Sequence, residues 1–186
     1  MEKLYNQIKN YIPYNAKETA DKEAMLFFME RNPDCLLRTN PCGHFAATAW
    51  VVNRQRTKVL MIYHNIYNSW SWAGGHADGN TDLEAVARRE IAEETGLTEL
   101  KPLCDGIFAI NALTVEPHIK KGQQVAAHIH YDVEYLFEAD DSLPLRIKED
   151  ENSAVGWVDI ADIDTAVTEE KMKPVYALLV EKAKKY

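Results

Sequence analysis

The segment Gly74-Gly75-His76-Ala77-Asp78-Gly79, followed by Ala87-Arg88-Arg89-Glu90-Ile91-Ala92-Glu93-Glu94-Thr95-Gly96-Leu97, decides how the rest of the chain is read. The glycines predict a loop over residues 74–81. Leu83, Val86, Ala87 and Ile91 then recur at helical spacing and predict a helix from about 82 to 95 with one apolar face. Thr81 and Glu84 form a Thr-x-x-Glu capping pattern at its start, and Gly96 is placed to stop it. Within that helix Glu90, Glu93 and Glu94 stand at i, i+3 and i+4, so all three carboxylates share a face. Like charges at that spacing repel. The ridge costs stability unless a cation lies against it, and an oxygen-ligated divalent ion is the cation such a set suits.

Upstream, residues 3–12 and 18–31 read as two amphipathic helices, the second with Ala24, Phe27, Phe28 and Arg31 at helical spacing and Pro33 beyond its end. Residues 45–52 are rich in β-branched and aromatic side chains. With Val59-Leu60-Met61-Ile62-Tyr63 across a polar turn, they predict a hairpin. Downstream, strands are expected around 103–115 and 125–137. In the latter, His128, His130, Asp132 and Glu134 alternate with Ile129, Tyr131, Val133 and Tyr135, a period of two with one polar face. Gly156-Trp157-Val158-Asp159 reads as a last short strand and residues 169–184 as a closing helix. Strands and helices mix without regular alternation. The expected class is α+β, an α/β/α sandwich around a mixed β-sheet with two extra N-terminal helices. A chain of 186 residues suits one domain, with 1–33 a helical extension and 43–186 the body.

A formal net charge of −8 argues against a nucleic-acid duplex as partner, because phosphate binding wants a basic face. It leaves a nucleotide-sized anion open, since a metal ion supplies positive charge locally. Cys35, Cys42 and Cys104 make no CxxC pair, and three is a poor count for a disulfide framework. No apolar run approaches membrane-spanning length, and Met1-Glu2-Lys3-Leu4-Tyr5 opens no signal peptide. The expected location is cytoplasmic, with no membrane partner.

Residues 75–97 resemble the Nudix box, G-x5-E-x7-R-E-U-x-E-E-x-G-U, where U is a bulky aliphatic residue. Gly75, Arg89, Glu90, Ile91, Glu93, Glu94, Gly96 and Leu97 fall in register, and Thr81 stands where the pattern has its first Glu. The resemblance implies a Nudix fold and a Mg²⁺- or Mn²⁺-dependent hydrolase. Its substrate would be a small nucleotide-like diphosphate, a nucleoside diphosphate linked to another moiety, cleaved by water at phosphorus. Carried over by position, the implied metal ligands are Glu90, Glu93, Glu94 and the carbonyl of Gly74. The implied catalytic residues are Glu90, Arg89 and Glu151, with Arg89 orienting a neighbouring carboxylate. Glu151, with Glu149 second, is implied because members place a glutamate shortly before a Trp of the last strand, here Trp157. Glu90 and this loop acid both stand as the general base. Threonine at 81 cannot pair with the box arginine, which leaves Asp78 or Asp82 to partner Arg89.

Other residues carry weaker signals. Six histidines invite a metal reading, but a zinc site needs three or four convergent ligands and no spacing here, Cys35, Cys42 and His44 included, matches a zinc module. A histidine-rich metal site is therefore not expected. The polar strand face of His128, His130 and Asp132 is read as lining a substrate cleft, and His76 as facing the phosphates. Tyr67, Trp70 and Trp72 precede the glycines and offer stacking surfaces for a base. His76, Trp70 and His130 are thus the expected substrate contacts. The competing readings are core packing for the aromatics and a solvated acidic loop for residues 148–153. A lid or homodimer contact is the role open to the N-terminal helices. Two rival functions share the fold: an isopentenyl diphosphate isomerase, which needs a cysteine beside the metal, and a nucleotide-binding regulatory module without turnover. The three intact carboxylates favour hydrolysis over both.

Overall fold

The computed structural model describes residues 1–66, 68–120, 122–148 and 152–186. In chain order the elements are α1 (Glu2–Asn10), α2 (Ala16–Arg31), β1 (Gly43–Asn53), β2 (Lys58–His64), β3 (Ser69–Ser71), β4 (Ala73–His76), α3 (Leu83–Thr95), β5 (Lys101–Pro102), β6 (Ala109–Val115), β7 (His118–Lys120), β8 (Gln123–Val125), β9 (His128–Ala139), β10 (Asn152–Asp159), a 3₁₀ turn at Ile160–Asp162, α4 (Ile163–Ala166) and α5 (Lys173–Ala183). The main sheet runs β10-β2-β1-β9-β5, with β3 on β2, β4 on β1 and β6 on β9. The central pair β1–β9 is parallel, from Gly43 opposite Ile129 to Asn53 opposite Ala139, and the other pairs are antiparallel. The sheet is therefore mixed, as expected.

Period-two alternation sends β1 and β9 side chains to two layers. Phe45, Ala47, Ala49 and Val51, with Tyr131, Val133, Tyr135 and Phe137, pack under Leu83, Val86, Ala87 and Ile91 of α3. Trp50, Val52 and Leu136 on the other face pack under Val175, Tyr176, Leu179 and Ala183 of α5. Helices on both faces give the α/β/α sandwich. The N-terminal helices join the α3 layer through Leu4 and Ile8 of α1 and Met25, Phe28 and Met29 of α2. Glu18 of α2 is fully buried. It accepts from Lys182 of α5 and from the Tyr11 hydroxyl, which ties the extension to the far layer.

Three local expectations are corrected. The apolar stripe of α2 runs through Met25, Phe28 and Met29, and Phe27 lies outside it at 59% exposure under the Arg31 guanidinium. The cap of α3 is Asp82, whose carboxylate accepts from Ala85 N at 3.1 Å, while Glu84 pairs with Arg88 instead of closing a box with Thr81. The expected loop over 74–81 begins as strand: Ala73–His76 pairs with β1, Gly74 opposite Thr48 and His76 opposite Ala46. Gly96 does stop α3, in the left-handed conformation at φ 80° that glycine adopts without penalty.

Candidate functional site

Burying Leu83, Val86, Ala87 and Ile91 rotates α3 so that Glu90 and Glu94 point at the edge strand β4. A Cβ added to Gly75 would lie 2.4 Å from Glu90 Cδ, and one added to Gly74 would lie 2.6 Å from Thr48 Cγ2. Neither glycine has positive φ, so the pair serves close approach and not a turn. Gly74 N–H donates to Glu94 Oε2 at 3.0 Å, and Asn152 Nδ2 of β10 donates to Glu94 Oε1 at 3.4 Å. Glu94 is buried, whereas Glu93 stands outward with its side chain 47% exposed.

Cations hold this ridge together. Arg89 Nη2 donates to Glu90 Oε1 at 2.7 Å, and its Nε lies 3.6 Å from Glu93. Lys148 Nζ approaches Glu93 from the loop before β10 at 3.7 Å. The bond to Glu90 raises the Arg89 pKa further above its ordinary value, so its charge is permanent. Neither Asp78 nor Asp82 partners Arg89, contrary to the sequence expectation. Asp78 takes a two-pronged bond from Arg38 at 2.6 and 2.7 Å, and Asp82 is spent on the cap. The arginine finds its acceptors, Glu90 and Glu93, within its own helix.

The residues fit a hard divalent cation. Glu90 and Glu94 meet β4 at Gly75 and Gly74, and Asn152 Oδ1 is buried beside Glu94 with no hydrogen-bond partner. That is an oxygen-only donor set with one orphaned acceptor, the chemistry of Mg²⁺ and Mn²⁺ sites. Glu149 and Glu151, named above for the same role, lie outside the described residues, as does Tyr67.

A cavity of about 750 Å³ opens on the opposite side of β4, between the sheet and α5. Gly74, Gly75, His76, Trp72, Asp132 and Tyr176 all line it. Of the expected substrate contacts, His76 and His130 are in its wall. Trp70 is not: its ring meets Tyr63 edge-on at 5.7 Å and packs by Gly156. Two residues along, Trp72 lies in the cavity wall, edge-on to Tyr176 at 5.2 Å. Among the described residues no cysteine lines the cavity, so it presents no thiol for an isomerase. Burial pushes the Asp132 carboxyl up to about 7. Burial and the neighbouring Asp132 raise Glu134 as well, and Asn111 Nδ2 donates to Glu134 Oε1 at 2.9 Å.

Sequence spacing placed His128 and His130 on one strand face but gave no sign of the partners that join them. His44 of β1 lies opposite His130 of β9, and His76 of β4 lies opposite Ala46, two residues along the same face. The His44 ring centroid is 4.9 Å from that of His76, 4.8 Å from that of His130 and 5.0 Å from that of His128. His44 is 4% exposed, and neither ring nitrogen has a hydrogen-bond partner. A buried polar atom left unpaired costs about 1–3 kcal/mol. Burial, then the charges of His128 and Arg38, lower the His44 pKa to about 4 against weaker opposition from Asp78 and the Asn40 backbone, which stays outside hydrogen-bonding geometry. His44 is therefore a neutral imidazole at neutral pH.

Comparison with known proteins places these features. The family model described as the NUDIX domain matches residues 43–179, from the first strand to within α5. A NUDIX-family hydrolase from Clostridium perfringens is 18% identical, with 74% of this chain and 96% of that one covered at a TM-score of 0.53. An Ap4A hydrolase from C. elegans is 16% identical, with 76% and 99% covered at 0.56. The E. coli dihydroneopterin triphosphate pyrophosphohydrolase is 12% identical, with 74% and 94% covered at 0.58. At these identities the likeness is one of fold. No curated protein sequence matches the chain.

Proposed function

The chain belongs to the NUDIX family, and on that premise we propose that it hydrolyses a phosphoanhydride bond in a nucleoside diphosphate linked to another moiety. The observation that carries the reading is the meeting of Glu90 and Glu94 with Gly74-Gly75 on one side of β4, while the same glycines line the cavity on the other. A diphosphate laid along this edge reaches the acidic ridge while the rest of the molecule fills the cavity. The solved structures named above, an Ap4A hydrolase and a pterin triphosphate pyrophosphohydrolase among them, support a substrate of this class.

Glu90, Glu93 and Glu94 with the carbonyl of Gly74 would hold Mg²⁺ or Mn²⁺. Such an ion, when bound, neutralises diphosphate charge and lowers the pKa of a water. The protein's own contribution is positioning. Gly74 N–H and Asn152 fix Glu94, and Arg89 fixes Glu90 through Oε1. That leaves Glu90 Oε2 to take the proton of the attacking water. Glu151 is the alternative base. Lys148 and Asn152, on either side of it in sequence, both reach the ridge. Trp72 and Tyr176 offer apolar faces to the non-phosphate moiety, and Asp132 offers it a hydrogen-bonding carboxyl.

The test is incubation with Mg²⁺ and a panel of ADP-ribose, dinucleoside polyphosphates, NADH and oxidised deoxynucleoside triphosphates, with products resolved by chromatography. Hydrolysis of at least one substrate, lost in a folded Glu94→Gln variant, is the expected result. Tight binding of one compound without turnover would replace the hydrolase by a regulatory module.

A further inference from the structure

The sheet beneath the cavity holds a cluster that the hydrolytic reading does not use. His44, His76 and His130 come from β1, β4 and β9, and their ring nitrogens lie within 4.8 Å of one another. We propose that these three imidazoles form a second metal site, built for a borderline transition-metal dication of the zinc class and separate from the glutamate ridge. This inference stands whether or not the protein hydrolyses diphosphates.

Three observations carry it. First, His44 is more than nine-tenths buried, is ringed by other imidazoles and makes no hydrogen bond through either nitrogen. A neutral imidazole offers one N–H and one lone pair, and a cation at the centre of the cluster satisfies the lone pair. Second, His128 links a backbone carbonyl to His130. His128 Nδ1 lies 2.9 Å from the Ala126 carbonyl, which only accepts, so Nδ1 carries the proton and Nε2 the lone pair. His128 Nε2 is 3.2 Å from His130 Nε2. A proton donated from His130 Nε2 to His128 makes Nδ1 the lone-pair atom of His130. A relay from carbonyl to imidazole to ligating imidazole is the arrangement that fixes tautomer and ring orientation around bound metals. His128 is thus a positioning residue.

Third, the two sites differ in kind. The glutamates approach β4 from the α3 side at Gly75, and the histidines lie on the α5 side with His76, because successive strand residues face opposite ways. Oxygen donors select Mg²⁺ or Mn²⁺, and imidazoles select Zn²⁺ and its neighbours. Zinc-bound nitrogens at about 2.0–2.1 Å from the metal stand roughly 3.3 Å apart in a tetrahedron, so small side-chain rotations draw the three rings in from their present spread. His76 and His130 also line the cavity, which leaves the fourth position for water or an anion.

The experiment uses the full chain, stripped with chelator and titrated with Co²⁺ and then Zn²⁺. Visible absorption, calorimetry and thermal unfolding are the readouts. One equivalent of Co²⁺ should give the strong visible bands of a tetrahedral or five-coordinate nitrogen site, and Zn²⁺ should displace it. Saturating Zn²⁺ should raise the melting temperature by about 4 °C or more. His44→Ala should abolish the bands and the shift, and His76→Asn, at an edge strand, serves if His44→Ala does not fold. His128→Ala should weaken Zn²⁺ about 10-fold and leave the bands. Glu90→Gln should change none of these readouts. The proposal fails if the bands persist in His44→Ala, if they vanish in Glu90→Gln, or if inorganic phosphate and not Zn²⁺ gives the thermal shift.

Discussion

The two sides of β4 carry two clusters assembled by opposite means. On the α3 side, three carboxylates come from residues 90–94 of one helix and are brought together by its pitch. On the α5 side, four imidazoles come from residues 44, 76, 128 and 130 on three strands and are brought together by register. The acidic ridge is compensated by neighbours: Arg89, Lys148, Gly74 N–H and Asn152 each reach a carboxylate. In the histidine cluster the most buried member, His44, has no hydrogen-bond partner on either nitrogen. Local spacing makes a cluster that can be read and balanced within a few residues. Register makes one visible only when the sheet is assembled.

Substitutions on either side test whether the two are independent, and the largest effect belongs to Glu94. Glu94→Gln keeps volume and the Gly74 contact but removes charge from the ridge. It should lower kcat/KM for the substrate found in the panel by roughly 100-fold or more, while the Zn²⁺-induced thermal shift stays as in wild type. Loss of both responses would show a single composite site. Gly75→Ala probes the wall between them. Its Cβ would fall 2.4 Å from Glu90 Cδ, so the carboxylate must move. Activity should fall about 10-fold, with the Co²⁺ bands unchanged. Bands that shift with this methyl group would mean that the strand transmits strain from one face to the other.

The same contrast explains what could be read in advance. Helix α3 and its stop at Gly96 were legible because Leu83, Val86, Ala87 and Ile91 report a 3.6-residue period directly. The hairpin and the alternation of β9 were legible through a period of two. The glutamate ridge followed from helix spacing alone. The glycine pair misled, because glycine usually marks a turn and here answers to a carboxylate and a threonine pressed against the backbone. Trp70 and Trp72 were interchangeable in composition, and only the path of the chain from β3 into β4 sends the second into the cavity. The histidine cluster depends on the parallel pairing of His44 with His130, residues far apart in the chain. The one signal that pointed there was the shared strand face of His128 and His130, which lacked the partners from β1 and β4.

Asp82 offers a smaller effect that falls on one side only. Its carboxylate holds Ala85 N–H, and the cap fixes where α3 begins and so where the ridge lies along β4. Asp82→Ala should cost about 1 kcal/mol in denaturant unfolding, with no change in Co²⁺ absorption. A loss several times larger would mean that Asp82 does more than cap.

Thr81 should matter least. It is exposed, and the cap is its neighbour Asp82. In Thr81→Glu, the new carboxylate just before the helix gains from the dipole by about 0.3–1 kcal/mol. It meets repulsion from Asp82 and Glu84, whose magnitude is similar and whose sign is opposite. Arg89 is already engaged by Glu90 at 2.7 Å and Glu93 at 3.6 Å, so the introduced side chain must displace one of them to capture it. Stability should stay within about 0.5 kcal/mol of wild type and the hydrolytic rate within about twofold. A clear gain in rate would show that the introduced carboxylate competes successfully for Arg89 and frees Glu90. A collapse would show that position 81 touches the substrate, and the ridge would then extend back past its own cap.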